Sequence, residues 1–239
     1  MNWIWFHKLG SPKWFFQWAN KWSKFAFVIG VLLLTIGVVW GLGFAPADYQ
    51  QGNSFRIIYI HVPTAILAQS CYLGLGAAGI VSLVWRMKMA PVFIKAVAPL
   101  GAVMALIALI SGAIWGKPTW GAWWVWDARL TSVLILFLLY MGVIAIQNSL
   151  DDIISVVGLI NLPIIKYSVD WWNTLHQPAT FTITAKPAMP MEMWLPLLLS
   201  TLGMYGFIAG VAMWRMQAEV LVREHRANWV KKEVLDNGI

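Results

Sequence analysis

Two histidines and a run of tryptophans are the residues in this chain best suited to chemistry. His61 stands in RIIYIHVPTA and His176 in DWWNTLHQPAT. Between them, Trp115 and the stretch WGAWWVWDARLTS place Trp115, Trp120, Trp123, Trp124 and Trp126 within twelve residues, and Asp127 and Arg129 follow at once. Neutral imidazole is a common ligand of transition metals. Indole offers a broad apolar face and one N–H donor. Guanidinium pairs with carboxylates. These groups can cooperate only if the chain gathers them in one place, so the elements that carry them decide the matter.

The chain has 239 residues, of which 60% are hydrophobic and 11% charged. Soluble domains carry about 25% charged residues, so the composition points to an integral membrane protein, all-α. Six apolar runs are long enough to span, near 25–44, 62–85, 94–114, 131–147, 153–169 and 194–214. The fifth carries Asn161, Pro163 and Lys166, which are costly in hydrocarbon. Residues 1–23 differ: Trp3, Trp5, Phe6, Trp14, Phe15, Trp18 and Trp22 alternate with Lys8, Lys13 and Lys21, as in a segment lying in the membrane interface. The start of the chain resembles a signal peptide, but further spans follow, so the first run reads as a retained helix. No internal repeat divides the chain, and 1–239 reads as a single membrane domain.

Orientation follows from the basic residues. With the N-terminus in the cytoplasm, that side holds Lys8, Lys13, Lys21, Lys24, Arg86, Lys88, Lys95, Arg215, Arg223, Arg226, Lys231 and Lys232. The far side holds Arg56, Lys117, Arg129, Lys166 and Lys186. Twelve against five favours this arrangement. It also retains the fifth span, because five spans would leave the basic tail, 215–239, outside. Both termini are then cytoplasmic. The net charge of +7 is explained by these span ends, and nucleic acid is not an implied partner.

In this topology the tryptophan-rich loop, 115–130, joins spans three and four on the outer side. His61, just before span two, and His176, after span five, share that side. The outer face then combines two imidazoles, an indole platform and the cations Arg56, Lys117, Arg129 and Lys186. A flat, apolar molecule with a central metal and anionic edges fits that set, and haem is such a molecule. Taken singly, each histidine reads as an interfacial or loop residue; it is the shared side that makes them a candidate pair. His7 and His225 lie among basic cytoplasmic residues and read as surface. A helix beginning at Trp120 would align Trp120, Trp123, Trp124 and Asp127, with Trp126 pointing elsewhere and Trp115 cut off by Gly116 and Pro118. Asp127 could equally cap the next helix, or pair with Arg129 on the surface. Pro63 is expected to fix the start of span two.

Other chemistries lack their residues. The single cysteine, Cys71, excludes CxxC and CxxCH sites and an internal disulfide. HExxH and GxxxxGK[ST] are absent. Two rivals remain. An electron-transfer cytochrome b would place its histidines within the spans. A permease subunit for haem or a small solute would need a polar path through them.

The stretch WGAWWVWDARLTS closely resembles the WWD signature of the haem-handling proteins of cytochrome c biogenesis. RIIYIHVP and DWWNTLHQP resemble the two histidine segments of their CcmC branch, the haem exporter C family, and length and span count agree over nearly the whole chain. The resemblance implies a protein of the bacterial inner membrane that binds haem b at the periplasmic face. It implies delivery to the periplasmic haem chaperone CcmE, which captures haem through a histidine of its own. It also implies partnership with CcmA and CcmB, the ABC-type subunits, and with CcmD. Carried over residue by residue, His61 and His176 would be the axial iron ligands. Trp115, Trp120, Trp123, Trp124 and Trp126 would cover the porphyrin and dock the chaperone, with Asp127 ordering the loop. Arg56 and Arg129 are candidates for the propionates from charge and side alone. Such a protein transfers haem and is not expected to be an enzyme of the ordinary kind, though it would promote attachment of haem to the chaperone.

Overall fold

The computed structural model describes residue 8 and residues 10–146, 149–172, 174–176 and 189–237. Trp3, Trp5, Phe6, His7 and Lys186 lie outside the described residues.

The described chain is helical. In order, α1 spans Pro12–Gly43, a 3-10 turn at Asn53–Ile57 leads into α2, Ile58–Trp85, and α3 spans Met89–Trp120. Then come α4, Ala128–Ala145, α5, Ser149–Val157, and α6, Asn161–Trp171, the last two joined by a 3-10 turn at Gly158–Ile160. Helix α7 spans Met191–Arg223 and α8 Asn228–Asn237. Among the described residues six helical stretches are long and apolar enough to cross a membrane, with α5 and α6 together forming the fifth.

The helices begin earlier and run longer than hydropathy alone suggests. Helix α1 is continuous from Pro12, so residues 12–22 are its first turns and not a separate element. Ser11 caps it, accepting from the Trp14 N–H, and Pro12 supplies the preset φ favoured at a first helical position. At 1.5 Å per residue its 32 residues measure about 48 Å, against about 30 Å of hydrocarbon. Helix α2 likewise starts before Pro63, which lies inside the helix and does not begin it.

The first and last spans form an antiparallel pair. Gly30 faces Gly206 and Phe207, Gly37 faces Ser200, Gly203 faces Leu34 and Gly210 faces Phe27. Between helices in lipid there is no hydrophobic driving force, so association depends on close backbone approach across small residues. At the shared end of this pair, Gln217 Nε2 donates to the Phe16 carbonyl at 3.2 Å, and the Phe16 and Trp229 rings lie 5.7 Å apart. Helix α1 therefore begins where α7 ends. Lys95 and Arg223 both pair with Glu219, and Lys88 pairs with Glu224, which ties the start of α3 to the same end.

Leu67, Tyr72, Leu75, Ile94, Leu136 and Tyr140 anchor the main core, between α2, α3 and α4. Its phenols are satisfied. Tyr140 donates to the Ala68 carbonyl at 2.6 Å and Tyr72 to the Ile154 carbonyl at 3.0 Å. The polar residue that weakened the fifth span is also accommodated: buried Asn161 donates through Nδ2 to the Ser132 carbonyl of α4 at 2.8 Å. Its amide fixes the second half of that broken span against α4.

Replacing Gly203 by leucine tests the helix pair. The new side chain would meet the Leu34 backbone, which cannot rotate away. A loss of at least the about 1–3 kcal/mol of ordinary overpacking is expected, seen as a lower melting temperature in detergent. An unchanged melting temperature would show that α1 and α7 do not meet there.

Candidate functional site

At the opposite end of the bundle a cavity of about 260 Å³ opens between the first turns of α2 and α4, the last turns of α3 and α6, and the segment 174–176. His61 and His176 both line it. His61 sits in the first turn of α2, inside the helix and not before it. His176 lies beyond the end of α6. Their rings are 6.3 Å apart, centre to centre, and tilted by 34°.

Each ring is held by its Nδ1. His61 Nδ1 lies 3.0 Å from Ser111 Oγ on α3. Trp115 meets the same imidazole edge-on, 5.6 Å between centres, and is itself fixed by its N–H to Gln51 Oε1 at 2.7 Å. Behind the ring is Gly112, where a Cβ would approach His61 Cε1 to 3.0 Å. His176 Nδ1 lies 3.1 Å from Arg129 Nη1. The guanidinium also donates from Nε to Ser168 Oγ at 3.0 Å and from Nη2 to the Lys166 carbonyl at 3.3 Å. Trp120 stands 6.3 Å from His176, ring to ring.

The five tryptophans separate into two groups. Trp115, Trp120 and Trp124 line the cavity. Trp123 and Trp126 are 58% and 77% exposed and do not line it. A helix beginning at Trp120, one of the arrangements open in the sequence, does not form. Helix α3 continues through Gly116 and Pro118 to Trp120, so Trp115 and Trp120 share one helix, and the irregular loop is only 121–127. Gly121, with φ +81°, is the terminator: it takes the left-handed conformation that glycine accepts without strain and donates its N–H to the Lys117 carbonyl. Thr119 Oγ1 donates to the Trp115 carbonyl in the same turn.

Asp127 is the N-cap of α4, accepting from the Leu130 N–H at 2.7 Å. Among the described residues it forms no ion pair with Arg129. Arg56 lies outside the cavity lining. It donates to the Leu42 and Ala45 carbonyls at 2.7 and 2.8 Å, serving the last turn of α1. Sequence reasoning missed Ser111, Gly112 and Gln69, and it did not rank Lys166 as a site residue, although Ser111 holds His61 and the other three line the cavity. Of these only Lys166, a charge within an apolar run, carried a visible signal.

Two imidazoles, three indoles, Arg129 and Lys166 therefore surround one opening. Among the described residues no group of three or more His, Cys, Asp or Glu side chains could hold an ion. A structural zinc needs four protein ligands, so this pair suits a metal that brings its other donors with it. Imidazole–metal bonds are about 2 Å, and a ring centre lies about 1 Å behind its nitrogen, so two rings sharing one ion sit about 6 Å apart. The observed separation is 6.3 Å between ring centres.

Comparison with known proteins gives a consistent picture. The sequence model described as CcmC, heme exporter protein C, matches residues 5–231. The chain is 46% identical to heme exporter protein C of Escherichia coli (strain K12) over an alignment of 246 residues, 99% of each chain. It is 43% identical to the Haemophilus influenzae protein of that name over 238 residues, 96% of this chain and 97% of the relative. A putative cytochrome c biosynthesis ccmC-like mitochondrial protein of Marchantia polymorpha is 44% identical over 153 residues, 63% of this chain and 67% of the relative.

Gly112→Val puts a Cβ 3.0 Å from His61 Cε1, so the ring must shift to admit it. Titration with haemin is expected to show binding about ten-fold weaker or worse, the equivalent of one lost contact of about 1.4 kcal/mol. Unchanged affinity would mean that His61 does not face the ligand.

Proposed function

The chain belongs to the heme exporter protein C family, and on that premise we propose that it binds haem b between His61 and His176 and passes it on during c-type cytochrome biogenesis. The observation that carries this reading is the pair of neighbouring imidazoles in a cavity walled by Trp115, Trp120 and Trp124. The pair supplies axial donors and the porphyrin supplies the remaining four. The indoles cover the macrocycle. Arg129, Lys166 and the Trp124 N–H, which has no partner among the described residues, are the donors available to the propionates.

The cavity is smaller than the about 300–1,000 Å³ usual for enclosing a drug-sized ligand. Haem would therefore sit partly out of it, with one edge accessible. That suits a protein that presents haem rather than one that stores it. Trp123 and Trp126 stand exposed beside the opening, and indoles are favoured at interface centres. They are the surface on which the haem chaperone CcmE would dock, with CcmA, CcmB and CcmD as further partners. The positive-inside bias supports a cavity on the periplasmic side of the inner membrane, with both termini in the cytoplasm.

The visible spectrum of the purified protein tests the ligand pair. Wild type is expected to carry extractable haem b with low-spin bands, and both His61→Ala and His176→Ala to lose or alter them. Identical spectra in all three would remove the assignment. Orientation is tested separately in intact cells. A membrane-impermeant thiol reagent is expected to label Trp126→Cys and to leave Lys232→Cys unlabelled until the cells are opened; the reverse would invert the topology.

A further inference from the structure

The two histidines differ in the one property that decides which ring nitrogen can bind a metal. Ser111 has a single hydroxyl proton, and it donates that proton to the Ile107 carbonyl at 2.6 Å. Towards His61 the hydroxyl oxygen is then an acceptor, so His61 Nδ1 carries the ring proton and Nε2 keeps its lone pair. This is the tautomer that a ligating imidazole needs, with the second nitrogen tied to a protein acceptor. At His176 the assignment is reversed. A guanidinium has only donors, so Arg129 Nη1 donates and His176 Nδ1 accepts. In the neutral ring the proton then sits on Nε2.

We propose that Arg129 holds His176 in a form that cannot ligate iron, and that a carboxylate on the incoming porphyrin releases it. The inference rests on the haem-binding reading above and deepens it. Ligation through Nδ1 requires the arginine to leave that nitrogen. Ligation through Nε2 requires its proton to go to water and Nδ1 to take one from water, after which Nδ1 has no lone pair for Arg129. Either way the Arg129–His176 bond and the His176–iron bond exclude each other. Arg129 keeps two anchors, Ser168 and the Lys166 carbonyl, so it can give up His176 without leaving the cavity rim. A propionate, itself an acceptor, can take over the freed N–H. His61 is the first ligand, set in advance. His176 is the second, admitted only when a charged porphyrin edge is in place. Arg129 is a positioning residue in this scheme, selecting for porphyrins with free carboxylates.

The test is NMR of protein labelled with 15N-histidine and stripped of haem, the two resonances assigned with His61→Ala and His176→Ala. The expected result is an Nδ1–H tautomer for His61 and an Nε2–H tautomer for His176, with the latter lost in Arg129→Met. An Nδ1–H tautomer for His176 in the wild type overturns the proposal without touching the ligand reading. Gallium protoporphyrin IX, a diamagnetic haem analogue, is then added. It is expected to free His176 from its Nε2–H state, whereas its dimethyl ester should engage His61 alone and bind about ten-fold more weakly. An ester that shifts His176 equally, or a bound His176 with no ring proton at all, overturns the release step. Failure of the haem reading looks different: neither ring responds to either porphyrin, and the exchange falls with it.

Discussion

Two imidazoles 6.3 Å apart require that helix ends from distant parts of the chain be fixed against one another. In a bilayer no hydrophobic driving force does that between helices. Fixing therefore falls to shape and to hydrogen bonds. The glycine seam between α1 and α7 joins the first and last spans along their length. At the cavity end, Arg56 ties the last turn of α1 to the turn before α2. Trp115 joins α3 to Gln51 and stands edge-on to His61. Asn161 joins α6 to α4, and Arg129 joins α4 to α6 and to the segment bearing His176. Each link is a donor meeting an acceptor that would otherwise be unsatisfied in an apolar setting.

This explains why polar residues in the apolar spans cluster as they do. A buried polar group without a partner costs about 1–3 kcal/mol, which favours polar residues where a partner stands opposite. Asn161, Ser111 and Ser168 all lie on helix faces turned towards the cavity or its supports, and all are bonded. Trp124 Nε1 and Asp127 Oδ2 are unsatisfied atoms of the same loop, and Thr174 Oγ1 is another, two residues before His176. An orphan donor on the cavity wall is a reason to expect an acceptor there, and a propionate is one.

Much of this was legible in the sequence, and the remainder was hidden for definite reasons. Six spans follow from hydropathy because bilayer thickness imposes a length. His61 and His176 stood out as a pair because the basic residues of the span ends put both on one side, with the tryptophan-rich loop between them. The loop limits were not legible. Gly116 and Pro118 look like breaks, yet α3 runs through both, and Gly121 is the residue that stops it. Lone cations mislead in the same way. Arg56 and Arg129 are alike in sequence, but Arg56 faces the carbonyls at the end of α1, and that placement depends on a fold no local pattern encodes. Ser111 and Gly112 matter only because His61 is packed against them.

A carrier has to hold haem firmly enough to collect it and loosely enough to surrender it. Two preset imidazoles would favour the first requirement at the expense of the second. On the reading proposed above, one ligand would be preset and the other would compete with a hydrogen bond to a charged group, worth about 1.5–3 kcal/mol. That competition weakens holding by about ten- to a hundred-fold relative to an unopposed pair. It also lets His176 return to Arg129 once iron leaves. The exposed Trp123 and Trp126 lie on the same short loop as Trp124, and that loop ends at Asp127, one residue before the helix that carries Arg129. A protein docking on those indoles would press on the element that decides whether His176 is a ligand. Reception of the chaperone and loosening of the haem would then be two consequences of one contact.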